Sequence, residues 1–275
     1  MVDKINKHAS STGFQKPQKR NKDIAIVDDF KTKDICIDFD STPDVSHGEV
    51  IKRFIQEGLP QANIDTFQIT KSNGATYAPA LKSVLDKIQK GHKYDALNLS
   101  MSAPVDFTYL SKKVGKQITP DNVVQNADNI KKWINSEKND KTVIQLKEAL
   151  EQLDKISAGG VQIYVAAGNE GKNKFNLLNL AKNAKVVGSV NSKGQKTNFT
   201  EDNSFVKNWD LGIFPIKRAY NSKGKLGFDY TGDGSVDIYA EKTTSWLKFG
   251  SFSNIEGTSL SCPRKLAKDL KSTKK

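Results

Sequence analysis

Four short strand-like segments constrain this chain more than any other feature: Ile24-Ala25-Ile26-Val27, the stretch from Tyr94 to Ser100, Val161 to Ala167, and Val186 to Val190. The first is apolar throughout, as expected of a strand buried on both faces in a parallel sheet, and the other three read as strands as well. Asn63 to Thr70 supplies a further strand. Between the runs lie helical periods: Val50, Ile51, Phe54 and Ile55; Leu81, Val84, Leu85 and Ile88, ended by Gly91; and Val143, Leu146, Leu150, Leu153 and Ile156, ended by Ala158-Gly159-Gly160. Strands and helices in alternation predict an α/β fold, with a central, mostly parallel sheet flanked by helices and joined by right-handed crossovers.

The remaining segments are less regular. Ile35 to Phe39 reads as a short additional strand. Short helices are expected over Tyr109 to Val114 and Val123 to Asn135, in a region bordering a cleft, and another over Leu177 to Ala181. Residues 191 to 235, rich in Gly, Asn, Lys and Asp, are expected to form loops and an edge hairpin. Leu260, Leu266, Ala267 and Leu270 mark a last helix after Gly257-Thr258-Ser259. At 275 residues and 30.4 kDa the chain suits one large core, so the expected organisation is a polar arm over residues 1 to 22 and a single domain over 23 to 275.

Polar residues fall where open α/β sheets place their chemistry, at the carboxyl ends of strands. Asp28 and Asp29 end the first run, and Asn169 follows Val161 to Ala167 on a turn flanked by Gly168 and Gly171. His47 stands in the first turn of a helix, beside Gly48. Ser259 stands at a turn-to-helix junction, where unpaired amides can face an oxyanion. Each has an ordinary structural reading as well: a turn for the acids, an Asx turn for Asn169, and a cap for His47 and Ser259.

The net charge of +12 leaves nucleic acid or an anionic surface as an unspecific partner. No aromatic residues interleave the basic runs and no finger or phosphate-loop motif is present, so composition gives that reading no direction. Cys36 and Cys262 cannot build a disulfide framework, and Cys262 reads as a small buried residue. Asp229, Asp233 and Asp237 recur at four-residue intervals. They could wrap a hard cation such as calcium, or form a turn, and they lack the full calcium-loop pattern. Met1 to Asn21 carries neither a signal peptide nor a membrane span, which leans towards the cytoplasm; secretion stays open for a processed or recombinant chain.

Taken together, the motifs resemble the subtilisin-like serine proteases, the subtilase family. Ile24-Ala25-Ile26-Val27-Asp28 looks like that family's first catalytic strand, Ser46-His47-Gly48 like its histidine motif and Asn98-Leu99-Ser100 like its substrate-cleft strand. Ala166-Ala167-Gly168-Asn169 looks like its oxyanion motif, and Gly257 to Pro263 like its nucleophile motif. They occur in family order and cover about residues 24 to 270. The resemblance implies a three-layer subtilisin-like fold and a serine endopeptidase acting on protein or peptide substrates. It assigns Ser259 as nucleophile, His47 as general base and Asp28 as its orienting acid, with Asn169 in the oxyanion hole and Asn98, Leu99, Ser100 and Ser102 along the substrate cleft. It requires no cofactor for the chemistry and admits a structural calcium, assigned only weakly to Asp229, Asp233 and Asp237. No segment of the chain reads as a prodomain.

Several residues depart from the family pattern: Asp29 and Phe30 after Asp28, Glu49 after His47-Gly48, Ser102 in the cleft strand and Glu256 before Gly257. An acid crowding the site would raise the histidine pKa or favour a basic substrate side chain. The last helix carries Arg264, Lys265, Lys268 and Lys271 beside a narrow apolar stripe and is expected to be half exposed. These departures keep a second reading in view, a weakly active or inactive relative that binds peptides in the same cleft.

Overall fold

A computed structural model describes residues 20–35, 45–71, 75–239 and 254–272. Six parallel strands form the central sheet: β1 (Asp23–Asp28), β2 (Asn63–Gln68), β3 (Ala96–Leu99), β4 (Gln162–Ala166), β5 (Lys185–Val190) and β6 (Asn208–Leu211), in the spatial order β2-β1-β3-β4-β5-β6. The chain moves outward from β1 to β2, then returns past β1 to place β3. The strand order therefore reverses between β1 and β3, and a crevice opens beyond their carboxyl ends.

The first strand shows why its run lacks alternation. Ile24 and Ile26 pack into the core beneath α1 (His47–Gly58) and α6 (Thr258–Ser272). Ala25 and Val27 pack into the opposite core, under α2 (Ala78–Gln89), α3 (Phe107–Val114), α4 (Ala127–Ser136) and α5 (Lys141–Ala158). The result is three layers, helices on both faces of one sheet. No helix among the described residues is long and apolar enough to cross a membrane.

Four expectations need correction or a limit. β6 lies in the stretch read as loops and an edge hairpin. Its sequence Asn-Trp-Asp-Leu has too little apolar content to signal a parallel edge strand, although an antiparallel sheet does follow over Lys217–Tyr220, Leu226–Asp229 and Ile238–Tyr239. The polar arm is already tied down at its end: Arg20 pairs with Asp23 at 2.7 Å, and Asn63 N–H donates to Lys22 O. Residues 1 to 19, the rest of that arm, lie outside the described residues, as do Cys36 and the predicted strand from residue 36 onward.

The fourth concerns α6, which is largely buried rather than half exposed. Its cations lie over neighbouring elements with their charges paired at the rim: Lys268 donates to Asp210 at 2.7 Å, and Arg264 lies over the Phe214 ring and 3.5 Å from Glu57. Long basic side chains cover apolar surface while keeping their charged ends solvated. The α1–α6 crossing is close because Gly58 faces Ala267, where a Cβ on residue 58 would lie 2.6 Å from the Ala267 Cβ.

Candidate active site

Asp28 is the last residue of β1 and is fully buried. Its Oδ1 accepts the Asp29 N–H at 2.7 Å and faces His47 Nδ1 at 2.7 Å. Unless protonated, a carboxylate only accepts, so Nδ1 carries the proton and donates it, and in a neutral ring Nε2 is then the acceptor nitrogen. Oδ2 is buried with no hydrogen-bond partner among the described residues. That charge acts on its surroundings: burial, and secondarily Asp28, pushes the Tyr77 phenol up to about 12.

His47 opens α1 behind an N-cap at Ser46. The Ser46 hydroxyl accepts the Glu49 N–H, and the Glu49 carboxylate accepts the Ser46 N–H at 3.1 Å. Glu49 therefore departs from the family pattern to complete a capping box, with its charge turned to the helix start. Asp29 has a similar explanation. Its Oδ1 accepts the N–H groups of Lys31 and Thr32 and the Gln68 side-chain amide, which fixes the turn after β1.

Gly48 fits against that turn. Its N–H donates to Asp29 O at 2.8 Å, and a Cβ there would meet Phe30 Cδ1 at 2.7 Å and Asp29 O at 2.8 Å. Gly48→Ala is expected to cost about 1–3 kcal/mol through overpacking. Denaturant unfolding measures this, and an unchanged midpoint would show that Phe30 yields without cost.

Asn169 follows β4, after Gly168 at φ +113°. Its Oδ1 accepts both the backbone N–H and the hydroxyl of Thr258, each at 2.8 Å, while the Gly168 N–H donates to Thr258 Oγ1 at 3.1 Å. Two donors on one oxygen fix the amide orientation and turn Nδ2 away from Thr258. A Cβ built on Gly257 would lie 2.9 Å from Ser259 Oγ and 3.3 Å from Asn169 Nδ2. The two groups thus flank one space that exists because residue 257 has no side chain.

Ser259 sits in the first turn of α6, nearly buried. Its carbonyl accepts the Ser100 hydroxyl at 2.9 Å, and Ser100 Oγ in turn accepts the Asn98 amide at 2.9 Å. Asp28, Asp29, His47, Ser100, Ser102, Asn169 and Ser259 all line one cleft of about 230 Å³, together with Met101, Ala166, Gly168 and Thr258. Asn98 and Leu99 do not line it. Asn98 reaches it only through Ser100, and Leu99 is a core residue. Beyond Ser102 an apolar recess of about 270 Å³ continues between Tyr77, Pro104, Val143, Leu146 and Leu177.

Asp229, Asp233 and Asp237 do not converge as a ligand set. Asp229 accepts the Gly232 and Gly234 N–H groups, and Asp233 those of Ser235. Asp237 accepts the Tyr230 and Thr231 N–H groups and Arg53 Nε at 2.7 Å. Their regular spacing serves a turn held by backbone amides and one arginine. Among the described residues no group of three or more His, Cys, Asp or Glu side chains could hold a metal ion. Cys262 is buried beneath the site, with its thiol pushed up by burial.

No protein-family model matches the sequence, and no curated protein matches it. Solved structures do. A lanthipeptide protease superposes with a TM-score of 0.52 at 16% identity, covering 90% of this chain and 72% of that one. A cold adapted subtilisin-like serine proteinase gives 0.47 at 16% identity, over 92% and 77%, and the patellamide maturation protease PatA gives 0.49 at 14%, over 88% and 74%. The fold is that of the lanthipeptide protease. The α/β expectation, a central parallel sheet flanked by helices, therefore holds at the level of architecture.

Thr258, Gly168 and Met101 were not among the sequence-predicted site residues. Thr258 lies inside the Gly257 to Pro263 motif, and its β-hydroxyl beside a glycine at a helix start was the available signal.

Proposed function

We propose that the chain is a serine endopeptidase, hydrolysing peptide bonds through Ser259, His47 and Asp28 with Asn169 at the oxyanion. One observation carries this reading: a histidine held at 2.7 Å by a buried carboxylate shares a cleft with a serine hydroxyl and a carboxamide donor that flank the same space. Ser259 Oγ attacks the substrate carbonyl carbon, and its proton passes to His47 Nε2. Asp28 keeps the imidazole in the tautomer that can accept it and stabilises the resulting charge. The carbonyl oxygen, now carrying negative charge, is met by Asn169 Nδ2 and the backbone N–H of Ser259. His47 then returns the proton to the leaving amine, and water hydrolyses the acyl-enzyme by the reverse roles. The apolar recess beyond Ser102 is suited to a substrate side chain on the acyl side.

Covalent labelling with a fluorophosphonate, read by intact mass and peptide mapping, tests the proposal. Label on Ser259 that disappears in His47→Ala is the expected result. A folded wild-type protein that remains unlabelled, and cleaves no member of a mixed peptide library, would overturn it in favour of a peptide-binding relative.

A further inference from the structure

Behind the cleft wall lies a carboxyl group that the chemistry above does not use. Glu201 is fully buried, and its side chain occupies the place where Gly168 has none: a Cβ on Gly168 would fall 2.3 Å from both Cδ and Oε1 of Glu201. The Glu201 backbone N–H donates to Gly168 O at 3.1 Å, and the Glu170 N–H donates to Glu201 Oε1 at 3.4 Å. One residue thus grips the peptide units on both sides of Asn169. Its other oxygen, Oε2, is buried without a hydrogen-bond partner among the described residues.

The Asn176 backbone amide lies near enough to the same carboxylate to favour its charged form. The Asn176 side chain spends all its hydrogen-bonding capacity on the cleft walls. Oδ1 accepts Ala103 N–H at 2.9 Å and Leu178 N–H at 3.1 Å, while Nδ2 donates to Met101 O at 3.1 Å and Ala166 O at 2.9 Å. Met101 and Ala103 continue the wall beyond β3, and Ala166 ends β4. Those strands are last in register at Leu99 and Val165, and beyond that point the Asn176 amide spans the gap.

We infer that Glu201 is a positioning residue for Asn169, fixing the Gly168-Asn169-Glu170 turn from behind, while Asn176 ties the end of β4 to the opposite wall of the cleft. The inference rests on the proposed role of Asn169. A buried carboxylate that fills the space beside Gly168 and accepts the Glu170 amide is a stiff support, and small errors in oxyanion geometry are costly because donors must meet the charge where it forms. Burial raises the Glu201 carboxyl to about 7, with Glu170 raising it further and the two amides and Lys174 opposing. The support therefore changes charge near neutrality.

Three variants test it: Glu201→Ala, Glu201→Gln and Glu201→Ala combined with Asn169→Ala. The alanine variant is expected to lose on the order of tenfold to a hundredfold in kcat, with KM changed less than about twofold. Glutamine keeps an acceptor oxygen at the same reach and should recover most of that loss. On the Asn169→Ala background the Glu201→Ala effect should vanish, because its route of action is gone. A rise in KM without loss of kcat, losses that multiply in the double variant, or glutamine no better than alanine would each overturn the inference.

An amide titration keeps the test independent of turnover and of the alanine fold. The backbone resonance of Glu170 is expected to shift with a midpoint near neutral pH in the wild type and to lose that step in Glu201→Gln. The same titration in both, or in neither, counts against the support even if the protein proves not to be a protease.

Discussion

Alanine at position 259 is expected to lower peptide hydrolysis by roughly 10⁴- to 10⁶-fold, the range known for removal of triad members in subtilisin itself. Folding should survive the change. The structure ties this position into the sheet through the Ser259 carbonyl, which accepts from Ser100, and alanine keeps that carbonyl. What is lost is the attacking oxygen, so kcat falls while peptide binding persists. His47→Ala should cost a similar factor, and the double variant little more, because nucleophile and base act as one unit. Steady-state kinetics on one cleavable peptide, with near-ultraviolet circular dichroism as a control for folding, checks all three. Wild-type turnover by Ser259→Ala would end the assignment.

The second large effect concerns Asn169. Its alanine variant is expected to lose about 10²- to 10³-fold in kcat with little change in KM, again a magnitude taken from subtilisin. The Thr258 contacts add a sharper comparison. Aspartate can still accept both Thr258 donors, so the loop should keep its place, but it presents a carboxylate oxygen where Nδ2 stood. An anion facing a forming oxyanion is worse than a missing donor. Asn169→Asp is therefore expected to fall below Asn169→Ala at neutral pH and to recover part of the difference as the pH drops through the carboxylate range. Equal rates for the two variants would show that Asn169 serves the loop rather than the reaction.

The sheet was legible in sequence because a strand buried on both faces is apolar throughout, as Ile24 to Val27 is, and because such segments alternate with helical periods. Asp28, His47, Asn169 and Ser259 stood out as candidates because each stands at a strand or helix end, with His47 and Asn169 beside a glycine. What sequence hid was polar support from distant segments. Asn176 and Glu201 have no periodicity, and their partners are backbone groups of the loops after β3 and β4. β6 was missed because its single leucine gives no edge-strand signal. The cations of α6 misled because their acids, Glu57 and Asp210, lie far away in sequence and cancel their charge only in three dimensions.

Asp28 ends the first strand of the central sheet, whereas Ser259 begins a helix that follows every strand of that sheet in chain order. That helix packs against α1, which carries His47, and against β3, β4, β5 and β6. Assembly of the reactive group is therefore a report on completed folding. A chain emerging during synthesis, or one cut before α6, holds Asp28 and His47 but lacks Ser259. Such long-range closure is slow, since distant segments must be brought together before their contacts form. A slow final step would give a newly made chain a silent interval, in which it can be handled or delivered before the proposed site is complete.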